Sequence, residues 1–310
     1  MEHTPVKHRN HVPNGKSGQM TVMLTFMMFV AVLILGVTLN IAELFIWHGH
    51  LQTSVDCAVF SGAVMQAEGL NKIARRNTDI INSSRALREK WSGNHIWPSF
   101  AAGRNEAIND ANSFLNFNDR WNEDQRRINA LTPAKAEQIA LKVADDNVPS
   151  AEFRCDKGAS GALTVLQRLV FPPLRMRFLY RYTYRDAKGN LHVDIRSGTG
   201  PSVATTILQK GTSDLVYFCG HLTKPSQAFV FRFRDKDGND MLPTTFEKMR
   251  VYAAAMPYGG RLWYDYQSLP NAPQRLIQGR ARYDAKLVAI ATLQKFQPEL
   301  KLSDKWASEW

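Results

Sequence analysis

The chain of 310 residues, 44% hydrophobic and carrying a formal charge of +11, is long enough for one large core or two small ones. Its three cysteines, Cys57, Cys155 and Cys219, exclude a disulfide scaffold, while the basic excess suits either a solvated secreted domain or an anionic partner. There is no G-x-S-x-G, H-E-x-x-H, P-loop or C-x-x-C motif, so nothing points to catalysis, a cofactor or a metal.

Residues 1–19 hold Lys7, Arg9 and Lys16 against Glu2 and read as a polar tail. Met20–Ala42 then continues without a formal charge. As a helix it reaches about 35 Å, enough to cross the hydrocarbon of a bilayer while satisfying its own backbone. We expect a transmembrane helix over 20–47. The basic flank stays in the cytoplasm, because His48–Ala67 contains only Asp56 as a formal charge. A cleaved signal peptide fits poorly, since the nearest small-x-small run, Ser61-Gly62-Ala63, lies too far downstream. Asn40 and Glu43 are the polar exceptions in the span. Glu43 either snorkels to the interface beside Trp47 or pairs with a cation on a neighbouring anchor helix.

Beyond the span, Leu70, Ile73, Asn77, Ile80, Ser84, Leu87 and Trp91 recur at steps of three and four. This predicts a helical seam, interrupted at Asn77 and Ser84, that packs on later helices of the same chain or on other copies. Trp97-Pro98 ends it. Arg104–Ala130 reads as an amphipathic helix rich in Asn, Asp and Arg. Thr132-Pro133 predicts a fresh helix start, running to Asn147-Val148-Pro149. Residues 150–165, rich in Gly, Ser and Ala, read as a domain seam.

From Arg175 the period becomes two. Met176, Phe178, Tyr180, Tyr182 and Tyr184 alternate with Arg175, Arg177, Arg181 and Arg185, and Leu191, Val193 and Ile195 follow a turn. Matching apolar residues predicts a hairpin with Tyr182 opposite Val193 and Arg181 opposite Asp194. Asp214–Cys219 and Phe229–Arg234 predict a further strand pair, with Lys248–Met256 and Tyr283–Ile290 as later strands. A loop from Pro257 to Pro273 and a tail with Trp306 and Trp310 complete the chain. Asp235–Asp240 resembles the start of a calcium loop. The twelfth position is Phe246 rather than an acid, so a hairpin turn is the better reading. Aromatics and arginines fall on opposite strand faces, which excludes a base-stacking nucleic-acid platform. It leaves Arg175, Arg177, Arg181, Arg185, Arg232 and Arg234 as a solvated or basic docking face. Cys155 and Cys219 either pair or remain buried thiols.

The fold class inferred is α+β. A tail (1–19) and span (20–47) lead into a helical stalk or subdomain (48–149), then an antiparallel sheet domain (150–310).

One stretch carries a family likeness. Gly18-Gln19-Met20-Thr21-Val22, the span, and Leu51-Gln52-Thr53-Ser54-Val55-Asp56-Cys57-Ala58 through Ser61-Gly62-Ala63 resemble TadE/TadG-like pseudopilins of tight-adherence pili and related secretion systems. Leu51, Gln52, Asp56, Ala58, Gly62 and Ala63 match the family pattern as they stand. Asn40 takes the place of a frequent Asp, and Met23 fills the position where processed members carry Glu. Ala253–Trp263 and Tyr283–Leu287 look like the closing region of some larger members. The resemblance implies a non-enzymatic, uncleaved TadG-type subunit or assembly factor, single-pass in the bacterial inner membrane with its C-terminal part outside the cytoplasm. Its partners would be inner-membrane lipid and other pilin or secretion-system subunits, not nucleic acid. Gly18, Gln19, Asn40, Glu43, Leu51, Gln52, Asp56, Gly62 and Ala63 would serve helix packing. An envelope-binding module with a basic face on acidic polysaccharide or lipid is the alternative, and a membrane-anchored hydrolase a weaker one.

Overall fold

The computed structural model describes residues 15–211, 215–241, 243–246, 248–260, 262 and 282–289. The polar residues 1–14, most of the loop from Pro257 to Pro273, and the tail with Trp306 and Trp310 lie outside them. The fold is mixed α+β, as expected from the change of period. Two helices, α1 (Gly15–Ser92) and α2 (Phe100–Asn147), flank β1 (Ile96–Trp97). Then follow β2 (Glu152–Lys157), β3 (Leu166–Val170), β4 (Leu174–Arg185), β5 (Leu191–Val203), β6 (Thr206–Lys210) and β7 (Phe218–Lys224). Four short or late strands complete it: β8 (Gln227–Ala228), β9 (Thr245–Phe246), β10 (Met249–Tyr258) and β11 (Asp284–Leu287). They form sheets in the orders β1-β4-β5, β11-β10-β7-β2, β3-β6 and β8-β9.

The chain divides into two bodies. One takes α1 up to His50 together with Lys224–Met249. The other takes Leu51–Thr223 and the residues from Arg250 onwards.

In the larger body the second part of α1 is a core helix, not a free-standing stalk. Leu51, Val55, Ala58, Val59, Ala63, Leu70, Ile73 and Ile80 are all fully buried, at the three-and-four spacing of one helical face. Each large aliphatic so buried contributes about 1.5–3 kcal/mol. Trp91 at the end of the face packs with Ala107, Ala111 and Phe114 of α2 and with Met176 and Phe178 of β4. Its indole nitrogen donates to Asp110 at 2.9 Å. Leu70 and Ile73 share a second cluster with Leu163, Val216 and Leu262.

Three sequence expectations change here. First, α2 does not restart at Thr132-Pro133; Pro133 lies inside one helix capped at Ser99. Proline has no N–H for the carbonyl four residues back. That carbonyl, on Asn129, instead accepts from Leu163 N at 2.8 Å. The helix therefore continues, and the proline opens a docking point for the next segment.

Second, the β4–β5 register is one residue off the apolar match: Tyr182 pairs with Asp194, Thr183 with Val193, and Arg181 with Ile195. The turn decides it. Asp186 Oδ1 accepts from Lys188 N and Asn190 N at 2.9 and 2.8 Å, and Gly189 takes φ +86°, which only glycine adopts without strain. Closing on Arg185–Leu191 then fixes every later pair.

Third, Phe229–Arg234 is not a strand paired with Asp214–Cys219. Beyond β8 it folds back through an isolated Arg234–Asp240 bridge, and β7 pairs with β2 instead.

Candidate interaction surfaces

In the smaller body, α1 from Met20 to Leu35 is apolar, and most of its side chains are exposed. Of the described helices it alone is long and apolar enough to cross a membrane. From Gly36 onwards one face of it is covered. Gly36, Asn40, Glu43 and Trp47 follow one another at helical spacing, and the segment from Lys224 to Phe233 meets them. Lys224 Nζ stands 3.5 Å from the centre of the Trp47 ring. Glu43 Oε2 accepts from Val230 N at 3.4 Å. Asn40 grips one residue twice: Nδ2 donates to Phe231 O at 2.9 Å, and Oδ1 accepts from Phe231 N at 3.2 Å. A Cβ built on Gly36 would run into the Phe233 ring, so the absence of a side chain there makes the approach possible. Glu43 thus meets a backbone N–H of its own chain.

The loop beyond Phe233 turns through Asp235-Lys236-Asp237-Gly238-Asn239 in the same way as the β4–β5 hairpin. Asp235 Oδ1 accepts from Asp237 N and Asn239 N at 2.9 and 2.8 Å, and Asn239 Nδ2 donates to Oδ2 at 3.1 Å. Asp186 and Asn190 repeat that last bond at the same length. The backbone N–H of Asn239 is the largest cause holding the Asp235 carboxyl below its ordinary value, with the Asn239 side chain next. The calcium-like run is a D-x-x-G-N hairpin turn. Among the described residues no group of three or more His, Cys, Asp or Glu could hold a metal ion.

The residues of the family-like motif separate. Gly18 and Gln19 lie in α1, with Gln19 exposed. Leu51, Gly62 and Ala63 are buried inside the larger body. A Cβ on Gly62 would stand 2.7 Å from the Phe218 ring, so the small residue admits this chain's own β7. Gln52 bridges Asp56 Oδ1 at 3.0 Å and Tyr252 O at 3.2 Å. Burial raises the Asp56 carboxyl above its ordinary value, against the lowering effect of Gln52.

The six arginines are divided between the two bodies. Arg232 and Arg234 belong to the smaller body, where Arg234 pairs with Asp240 at 3.2 Å. In the larger body a register shift separates Arg175 from Arg177. Arg177, Arg181 and Arg185 share a face with Val193, Ile195 and Leu191, because the pairs are Arg185–Leu191, Thr183–Val193 and Arg181–Ile195. Leu191, Val193 and Ile195 are more than half exposed. On the opposite face Tyr182 and Tyr184 stack with one another, Tyr184 stacks on His192, and Arg196 covers Tyr182 at 3.8 Å. The distal hairpin therefore has two mixed faces instead of one apolar and one basic.

Cys155 and Cys219 stand as thiols on the paired strands β2 and β7, either side of a register shift. Cys155 Sγ lies 3.5 Å from Cys219 O. Burial pushes both thiols up to about 12. Cys57 is exposed.

What the sequence reading missed is a set of buried and half-buried amides on the helices. Each engages the backbone of a non-helical residue as a neighbouring strand would. Asn77 donates to Leu208 O (2.6 Å) and Leu262 O (2.8 Å) and accepts from Leu208 N (3.3 Å). Asn71 takes Tyr283 O and N (2.9 and 2.7 Å), and Asn129 takes Thr164 O and N (2.9 and 3.0 Å). With its amide turned to suit its neighbours, Asn118 does the same to Thr206 (2.7 and 3.2 Å). Their cue was the asparagine content of otherwise amphipathic helices.

No family model, curated protein or solved structure matches this chain.

Proposed function

We propose that the chain is a single-span membrane protein, cytoplasmic at its N-terminus, that serves as a pseudopilin-like subunit or assembly factor of a tight-adherence pilus or related secretion system, and is not an enzyme. One observation carries this reading: α1 is divided in use. Its first part shows apolar side chains outwards from Met20 to Leu35, as a segment meant for lipid or for other helices does. Its later part is the core helix of a body with antiparallel sheets. Lateral contact then falls to the exposed first part, because Gly62 and Ala63 are occupied within the chain.

The test is a photo-crosslinking residue at Met27 or Leu35 of the full chain in its native host, alongside a deletion strain. We expect adducts with other single-span subunits and loss of piliation on deletion. Normal piliation without the gene, or a chain recovered free of membranes, refutes the reading. The exposed face carrying Arg177, Arg181 and Arg185 with Leu191, Val193 and Ile195 supports a second reading as an envelope-binding module. Its mark would be salt-sensitive retention on acidic polysaccharide.

A further inference from the structure

The smaller body poses a problem that the sequence did not reveal. A span of 20–47 would carry the collar formed by Val230–Asp240 into the hydrocarbon. The collar residues descend α1 towards its N-terminus. Val230 meets Glu43, Phe231 meets Asn40, and Phe233 reaches Gly36. The polar turn comes after Phe233 in the chain. The nine residues from Arg232 to Asp240 hold Arg232, Arg234, Asp235, Lys236, Asp237 and Asp240, all but Arg232 in the turn itself. Of these, Arg234 and Asp240 satisfy one another. Arg232 and Arg234 have stems long enough to reach back to water, but Asp235 and Asp237 are too short to snorkel, and charge in hydrocarbon is costly without a partner. The rest of the turn is built for a wet, polar layer: its backbone is tied to Asp235, and the side chains of Lys236, Asp237 and Asp240 are exposed.

We propose that this collar lies in the phospholipid headgroup layer of the outer leaflet and sets where α1 leaves the membrane, so that the hydrocarbon boundary falls near Gly36 instead of at Trp47. The ligand is the headgroup zone of a zwitterionic bilayer. Arg232, Arg234 and Lys236 balance Asp235, Asp237 and Asp240, and such a balance suits paired phosphate and ammonium groups better than a uniformly anionic surface. Met20–Leu35 alone then crosses the hydrocarbon. As a helix it spans roughly 24 Å, short of a typical core of about 30 Å, and the bilayer meets it by thinning locally. Phe45, which is 70% exposed, stands outside lipid on this account and is available to a neighbouring subunit.

This rests on α1 crossing a bilayer, and the experiment separates the two claims. The full chain carrying Cys57→Ala and Cys155→Ala, with Cys219 left in place as a buried thiol, is spin-labelled at Leu24→Cys, Phe45→Cys or Asp237→Cys. Each is reconstituted in phosphatidylcholine vesicles. Collision rates with oxygen and with a water-soluble nickel chelate then report depth. We expect Leu24 to be deep, Asp237 at headgroup level and Phe45 in water, with the chelate reaching Phe45 at least about tenfold more often than Leu24, since water is excluded from the core. A label at Phe45 as protected as that at Leu24 overturns the collar and leaves the span intact. A label at Asp237 as wet as that at Phe45 also overturns it, because the turn then points away from lipid. Chelate access at Leu24 defeats the span itself. In Gly36→Leu, which evicts the Phe233 ring, the Phe45 label should sink and lose chelate access. An unchanged depth there refutes the collar as the element that sets the boundary.

Discussion

Replacing Asn77 by Ala tests the most connected buried side chain of the larger body. Asn77 is 1% exposed, Gln125 is fully buried, and Gln125 Nε2 donates to Asn77 Oδ1 at 2.6 Å. Truncation strips partners from Leu208 O, Leu262 O and Leu208 N, while Gln125 Nε2 keeps Ile73 O at 3.0 Å. Each orphaned buried group costs about 1–3 kcal/mol. Three of them, eased by whatever water enters the space, give a loss of about 3–6 kcal/mol, a large part of the 5–15 kcal/mol typical of a folded domain. For a body of this size that corresponds to roughly 8–20 °C in Tm. Thermal unfolding of the detergent-solubilised full chain, followed by far-UV circular dichroism, reads it directly. Asn147→Ala is the control, since its Nδ2 bonds only Val143 O of its own helix and is exposed; we expect a change within about 0.5 kcal/mol. The two amides should also be coupled, so that Gln125→Leu costs less in the Asn77→Ala background than in the native chain. If Asn77→Ala melts within a degree or two of Asn147→Ala, the amide does not hold the helix to the strand as described.

Gly62→Leu places a branched side chain where a single Cβ already meets the Phe218 ring at 2.7 Å. It should lower stability by about 2–4 kcal/mol, in the manner of an overpacked core, so any loss of piliation should come with a lowered Tm. Normal melting with lost piliation would return Gly62 to contacts between subunits. Asp56→Asn removes a carboxylate whose ionised form is disfavoured by burial while Gln52 can still bond the side chain. We expect a gain of a few degrees in Tm, and a drop would mean that the charge is better paired than its surroundings indicate. Folding raises the Cys155 and Cys219 thiols from 9.0 to about 12. Their contribution is therefore complete below pH 9 and is lost as pH climbs through about 12, giving a falling stability on the alkaline side. At neutral pH iodoacetamide should modify Cys57 long before either of them, and equal rates in the native chain would contradict their burial.

The helical seam, the hairpin and the late strands were legible because they rest on periodicity. The seam through Leu70, Ile73, Ile80 and Trp91 is buried at the spacing read from sequence, β11 falls within the stretch expected for it, and β10 overlaps its own but runs on to Tyr258, into the expected loop. Periodicity failed where a local group overrode it. Pattern matching set Tyr182 against Val193, yet the side chain of Asp186 closes the turn one residue differently. The two D-x-x-G-N runs, Asp186–Asn190 and Asp235–Asn239, were the signal that would have fixed it. Thr132-Pro133 carries a genuine helix-start pattern, but the start was unnecessary because Leu163 N meets the carbonyl that Pro133 leaves open. Motif residues such as Gly62 marked a close approach without naming the approaching partner. Only the fold identifies it as Phe218.

Asn77 and Ser84 interrupt the seam if it is judged by hydrophobicity alone. In place, Asn77 is the reason the helix sits at one position against the strand. A purely apolar face could slide by a turn at modest cost, since dispersion and burial have little direction. A side-chain amide is a peptide group on a short arm, with an acceptor and a donor spaced to meet one residue's N–H and C=O. Serine offers a single atom, and aspartate has no donor when ionised. Moving α1 by one residue against β6 would unpair Asn77 from both groups of Leu208 at once, as moving it against the collar would unpair Asn40 from Phe231. The same device therefore serves two ends along one helix. In the larger body it selects a register among nearly equivalent apolar packings, because buried polar groups must be satisfied. In the smaller it ties a charged loop to an otherwise greasy rod, and on the placement proposed above the height of that tie on α1 decides how much of the rod is left for the membrane.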